Sequence, residues 1–95
     1  MASYVFAFRG QQDRTPSAED EAAWGQWFQQ IGSSISDFGH RVGQARAVGA
    51  GPGAGVLSGY IVVNADSLEA AAALAESCPA VRQGGGVEVG ELVPS

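Results

Sequence analysis

The stretch Ser58-Gly59-Tyr60-Ile61-Val62-Val63-Asn64-Ala65-Asp66-Ser67-Leu68-Glu69-Ala70-Ala71, followed by Cys78-Pro79 and then Gly85-Gly86-Val87-Glu88-Val89, reads as strand, helix and strand. Tyr60 to Val63 are β-branched or aromatic and suit a pleated, covered surface. Asp66 and Ser67 offer side-chain oxygens for a helix start, and Asp66 with Glu69 has the spacing of a capping box. Ala70 to Ala75 favour a helix, whose buried side is expected to carry Leu68, Ala71, Ala72, Leu74, Ala75 and Cys78. Pro79 and the following glycines are expected to stop it, and Val87, Val89 and Val93 alternate with Glu88 and Gly90 as a final strand. Small residues on that helix let it lie close to whatever covers it.

Upstream, Gly43 to Gly55 is rich in glycine and alanine and reads as a connection between two strands. It is not a phosphate loop, because a strand follows it and the chain has no lysine for a Gly-Lys-Ser/Thr ending. Before it, Ile35 to His40 alternates as a strand, with Ile35 and Asp37 on one side and Ser36, Phe38 and His40 on the other. Gly32-Ser33-Ser34 ends a helix on which Trp24, Trp27, Phe28 and Ile31 recur at i, i+3, i+4 and i+7, the spacing of a core-facing stripe. Thr15-Pro16 supplies a capping hydroxyl and a first-turn proline, and Glu19, Asp20 and Glu21 complement the helix dipole. Gln11 to Thr15 form a polar loop. Residues 3 to 9 are apolar at both parities, the pattern of a strand covered on both faces.

The order β-α-β-β-α-β over 95 residues predicts one domain, residues 1–95, of the α+β class. The expected arrangement is ferredoxin-like: an antiparallel four-stranded sheet with two helices on one face. The other face cannot be left to water. The first strand and Tyr60 to Val63 carry apolar side chains on both sides, and exposing them would leave a patch larger than monomers normally show. A homodimer that buries the second face is the expected solution.

The run from Gly59-Tyr60 through Ala65-Asp66-Ser67-Leu68-Glu69-Ala70-Ala71 and Cys78-Pro79 to Gly85-Gly86-Val87-Glu88-Val89 resembles YCII-related (DGPF-type) proteins in order and spacing. The resemblance covers the chain closely from Ser58 onward and the first half by pattern. It implies a dimeric α/β barrel, two sheets packed face to face around a cavity. Some members of that family carry a histidine in the first helix paired with a later aspartate; here the comparable stretch reads Glu21-Ala22-Ala23-Trp24-Gly25-Gln26-Trp27-Phe28. The Asp-Gly-Pro-Phe motif of the other branch is also absent, since Gly53-Ala54-Gly55-Val56-Leu57 stands before Ser58. The resemblance therefore transfers no catalytic residues.

Composition narrows the function classes. Five scattered arginines against ten carboxylates give a net charge of -5, which opposes nucleic-acid binding. A hydrophobic content of 45% with 16% charged residues fits a globular chain and excludes disorder, and no stretch has the length of a membrane span. Tyr4 to Phe8 is too short for a signal-peptide core and lacks preceding basic residues, so a cytoplasmic location is expected. One cysteine and one histidine fall short of a soft metal site, and no cofactor motif is present, so neither metal nor cofactor is expected. Cys78 reads as a small buried apolar residue rather than a reactive thiol.

His40 is the only histidine and the first candidate for acid-base chemistry near neutral pH. Asp37 is its candidate partner, but i and i+3 face opposite ways on a regular strand, so the pair requires a bulge, which Gly39 would permit. Arg9 and Tyr60 are candidate ligand-binding residues, a carboxylate anchor and a hydrogen-bond donor. Glu88 in a Val-Glu-Val alternation is expected to face water or to pair with an arginine. These features give three functional expectations: a homodimer binding a small apolar or aromatic molecule in its cavity, a lyase- or isomerase-type enzyme using His40, or a non-catalytic accessory or scaffold protein with a filled interior.

Overall fold

The computed structural model describes residues 2–10, 17–49 and 55–94. Its elements are β1 (Ala2–Gly10), α1 (Ala18–Ile31), a 3-10 turn (Gly32–Ser34), β2 (Ile35–Arg41), β3 (Val56–Ala65), α2 (Leu68–Glu76), α3 (Pro79–Arg82) and β4 (Gly86–Glu91). The sheet order is β2-β3-β1-β4 with every neighbouring pair antiparallel, the ferredoxin-like topology that the β-α-β-β-α-β order predicts. Among the described residues no helix is long and apolar enough to cross a membrane.

Side chains alternate across the sheet, so the ladder register sorts them into two faces. Tyr4, Phe6 and Phe8 lie opposite Val63, Ile61 and Gly59 and form the face under the helices, with Val87 and Val89 alongside. Trp27 and Ile31 of α1 and Ala71 and Ala75 of α2 complete this core. The indole N–H of Trp27 donates to the Leu74 carbonyl (3.2 Å) and to Ser77 Oγ (3.0 Å), which ties α1 to the end of α2, and among the described residues no buried side-chain nitrogen or oxygen lacks a partner. The opposite face carries Val5, Ala7, Tyr60 and Val62, each half-buried with no helix above it.

Several local expectations shift. α1 is capped by Ser17, whose hydroxyl accepts from Asp20 N while the Asp20 carboxylate accepts from Ser17 N, a complete capping box. The cap expected at Thr15 and the loop Gln11 to Thr15 lie outside the described residues, as does part of the Gly43 to Gly55 connection. α2 is capped by Ser67 rather than Asp66: the Ser67 hydroxyl accepts from Ala70 N at 3.1 Å. Adjacent Asp and Ser are nearly equivalent caps in sequence, and backbone geometry decides between them. Pro79 does not end α2, which stops at Glu76; it opens α3 at the first helical position, where its missing N–H costs nothing. Cys78 caps that turn and is fully buried, and burial holds its thiol up at about 11, so it stays protonated and unreactive near neutral pH. Val93, counted with the last strand, lies beyond β4 and is exposed.

β2 departs most from simple alternation. Ile35 pairs with Val63, Asp37 with Val62, His40 with Tyr60 and Arg41 with Gly59, so one extra residue is accommodated before Asp37 and another before His40. The second bulge uses Gly39 at φ 60, where a Cβ would collide with the Tyr60 carbonyl. The two bulges cancel by the end of the strand. Between them they exchange Asp37 and Phe38: Asp37 moves to the uncovered face, and Phe38 turns under α1 to meet Phe28 at 6.5 Å between ring centroids.

Candidate functional site

Phe38, so placed, borders a hollow beneath α1. A cleft of about 480 Å³ lies between α1 and the end of the sheet formed by β1, β3 and β2. Its walls are aromatic: Phe8 from the sheet, Trp24 and Phe28 from α1, and Phe38 from β2. Trp24 stands edge-on to Phe8 at 5.0 Å and its indole N–H donates to Gln83 Oε1 at 3.3 Å, which fixes the upper wall against the chain just after α3. Gly59 keeps the floor low. It is buried directly across from Arg41, and a Cβ there would stand 3.1 Å from the His40 carbonyl.

The polar lining is sparse. Glu21 comes from the α1 wall, Arg41 from the end of β2, and Arg9, His40 and Tyr60 from the strand ends. Arg9, His40 and Tyr60, three of the four site residues expected from sequence, border the cleft where their strands end, and Asp37 does not, but the imidazole and the phenol do not point into it. His40 and Tyr60 are register partners with rings 6.1 Å apart, and that register directs both toward the uncovered face. Arg9 pairs with Glu88 at 3.2 Å, the partner that the Val-Glu-Val alternation anticipated, so its guanidinium is partly committed.

Asp37 and His40 do reach the same face, because the Gly39 bulge supplies the extra residue that a dyad requires. They do not bond to each other. Asp37 Oδ1 accepts from Gly39 N at 2.8 Å, so this carboxylate holds the bulge in shape. Arg41 is the polar residue that sequence reading passed over. It shares parity with Ile35 and faces the core side, but only the pairing with Gly59, a long-range property, sets it over an open floor. Among the described residues no group of three or more His, Cys, Asp or Glu side chains is placed to hold a metal ion.

A four-stranded antiparallel sheet with its helices on one side, one closely applied and the other standing over an aromatic cleft, defines an α+β domain of ferredoxin-like architecture. Residues 18–94 match the YCII-related domain, and the chain belongs to that family. Among solved structures it is similar to the 5-chloro-2-hydroxyhydroquinone dehydrochlorinase of Burkholderia phenoliruptrix in complex with 2,5-dihydroxybenzoquinone, with a TM-score of 0.61 and 16% identity over 98% of this chain and 95% of that one. At that identity the likeness shows the fold. No curated protein matches the sequence at a significant level.

Proposed function

We propose that this YCII-related chain is a cytoplasmic homodimer that binds a small aromatic molecule in the cleft beneath α1. The observation that carries the reading is the cleft itself: four aromatic side chains, Phe8, Trp24, Phe28 and Phe38, around a hollow of about 480 Å³, ample for a small aromatic molecule, with few polar groups. The structural neighbour's complex with 2,5-dihydroxybenzoquinone, a planar hydroxylated six-membered ring, supports a ligand of similar shape. A hollow between two sheets requires a second chain, whereas this cleft exists within one. The open hollow also argues against the filled interior of a scaffold. Titration with phenol, followed through the Trp24 indole resonance in a heteronuclear NMR spectrum, tests the proposal. A saturable shift at Trp24 is expected; no shift at any soluble concentration overturns it.

The dimer rests on the uncovered face, where Val5, Ala7, Tyr60 and Val62 form an apolar strip along the two central strands. A second copy of the same strip is the self-complementary cover that a twofold axis supplies. Light scattering at micromolar concentration should give twice the chain mass, and a mass of one chain removes the dimer.

A second reading, an acid-base enzyme of the lyase or isomerase class, is supported by the bulge that carries Asp37 and His40 to one face and by the dehydrochlorinase activity of the structural neighbour. In it His40 moves the proton and Asp37 orients the loop around it. Once a turnover is identified, His40→Ala should abolish it; unchanged turnover excludes His40 as the acid-base group.

A further inference from the structure

We propose that Arg41 anchors the carboxylate of a hydroxylated aromatic acid in the cleft, with the ring against Trp24 and Phe28; this rests on the aromatic-binding reading above and names the ligand class. Two cations line the hollow, Arg9 and Arg41. Arg9 is held by Glu88, and among the described residues Arg41 has no carboxylate within ion-pair distance. The ladder seats Arg41 across from Gly59 on the face that bears Phe8 and Ile61, the floor of the cleft. Gly59 puts no side chain beside Arg41 on this face: a Cβ there would stand 3.6 Å from the Arg41 Cα and 3.8 Å from the Phe8 ring. A planar fork of donors at the mouth of an apolar slot matches a carboxylate carried in the plane of an aromatic ring.

The other charged groups facing the hollow restrict the class further. Glu21 on the α1 wall has no ion-pair partner among the described residues. An ionised carboxylate accepts hydrogen bonds and repels anions, so it disfavours a second acid group and favours a phenolic hydroxyl on the side of the ring facing α1. The ligand is therefore a monoacid with a hydroxyl, and a dicarboxylate fits poorly.

The test compares 4-hydroxybenzoate with its uncharged isostere 4-hydroxybenzamide on the full chain, following the Trp24 indole resonance. The acid should bind about tenfold or more tightly than the amide, the size expected of one charge-assisted contact, and the preference should shrink as salt is raised. Arg41→Gln should bring the acid down to the affinity of the amide and leave the amide unchanged, while Arg9→Gln should keep the preference. Arg41 is exposed, so the fold should be indifferent to its replacement, and an unchanged circular dichroism spectrum verifies this. Equal binding of acid and amide, or a preference that survives Arg41→Gln, overturns the role of Arg41 while leaving aromatic binding intact. If neither probe moves the Trp24 resonance, aromatic binding itself fails and the anchor with it.

Discussion

The two β-α units of this chain share a topology and differ in how their helices meet the sheet. α2 does so with alanines: Ala71 and Ala75 are buried, and the helix backbone runs close over β3 and β4. α1 does so with rings. Trp27 stacks on Phe6 at 6.3 Å and meets Phe8 edge-on at 5.8 Å, and its neighbours Trp24 and Phe28 extend the cluster sideways. Small side chains bring a helix down and seal the layer. Large ones hold the helix away from the sheet, and the space beside them, where no ring reaches, becomes the cleft. Side-chain size, with topology constant, separates a structural half from a half that can host a ligand.

The sharpest way to break the contrast is to remove the ring that supports α1. Trp27→Ala should cost about 3–5 kcal/mol, measured as a lower midpoint in urea unfolding, because it deletes a fully buried indole together with its two hydrogen bonds. A loss below about 1 kcal/mol would mean that α1 is supported elsewhere. The reciprocal change enlarges α2: Ala71→Leu should cost about 1–3 kcal/mol through overpacking, since Ala71 has no exposed surface to give up. Were it neutral or stabilising, the α2 layer would not be the tight one.

Gly25 sharpens the comparison from the α1 side. It lies on the roof of the cleft with nothing within 4 Å of where a Cβ would stand. Gly25→Ala should therefore raise stability by about 0.5–1 kcal/mol through helix propensity, with no packing penalty. A loss of stability would show that the space above the cleft is already filled.

An effect confined to alkaline pH is expected on the sealed side. The folded chain holds the Cys78 proton to about 11 against an ordinary 9.0, chiefly because burial disfavours the thiolate. The folded state thus binds a proton that the unfolded state has released, and stability should fall as pH rises between those two values. Burial and the nearby Glu91 and Glu69 carboxylates raise the Tyr4 phenol in the same sense. Unfolding midpoints for Cys78→Ala across this window should decline less steeply than those of the parent chain, and equal slopes would assign the alkaline loss to Tyr4 or to other groups.

Much of this contrast is written in the sequence. The Trp24-Trp27-Phe28-Ile31 stripe and the alanine run of α2 are local patterns; the stripe packs where its periodicity points, and α2 buries Ala71 and Ala75 as expected, while Leu68, counted with its buried side, is about half exposed at the first turn. The outer strands and caps are less legible for identifiable reasons. Asp66 and Ser67 compete as caps with similar intrinsic strength, and Pro79 can end one helix or begin another. The faces of Asp37 and Phe38 depend on two bulges that appear only when β2 is aligned with β3, its neighbour across a glycine-rich connection. Arg41 escaped notice for the same reason: an arginine at a strand end looks solvated until the residue across the ladder is known to be glycine.

The bulges of β2 have a consequence for what substitution can do to the molecule. In the language of phase, each inserts half a period, and the pair returns Arg41 to the step it would occupy on an uninterrupted strand while inverting the residues between. Gly39 holds the second inversion in its left-handed backbone angle. A side chain there that flattened the strand would leave a single inversion, and every later residue of β2 would change sides: the imidazole of His40 would turn under α1 and the guanidinium of Arg41 would turn away. The chemistry presented to the cleft is thus switched by a backbone torsion rather than by the identity of any side chain that lines it.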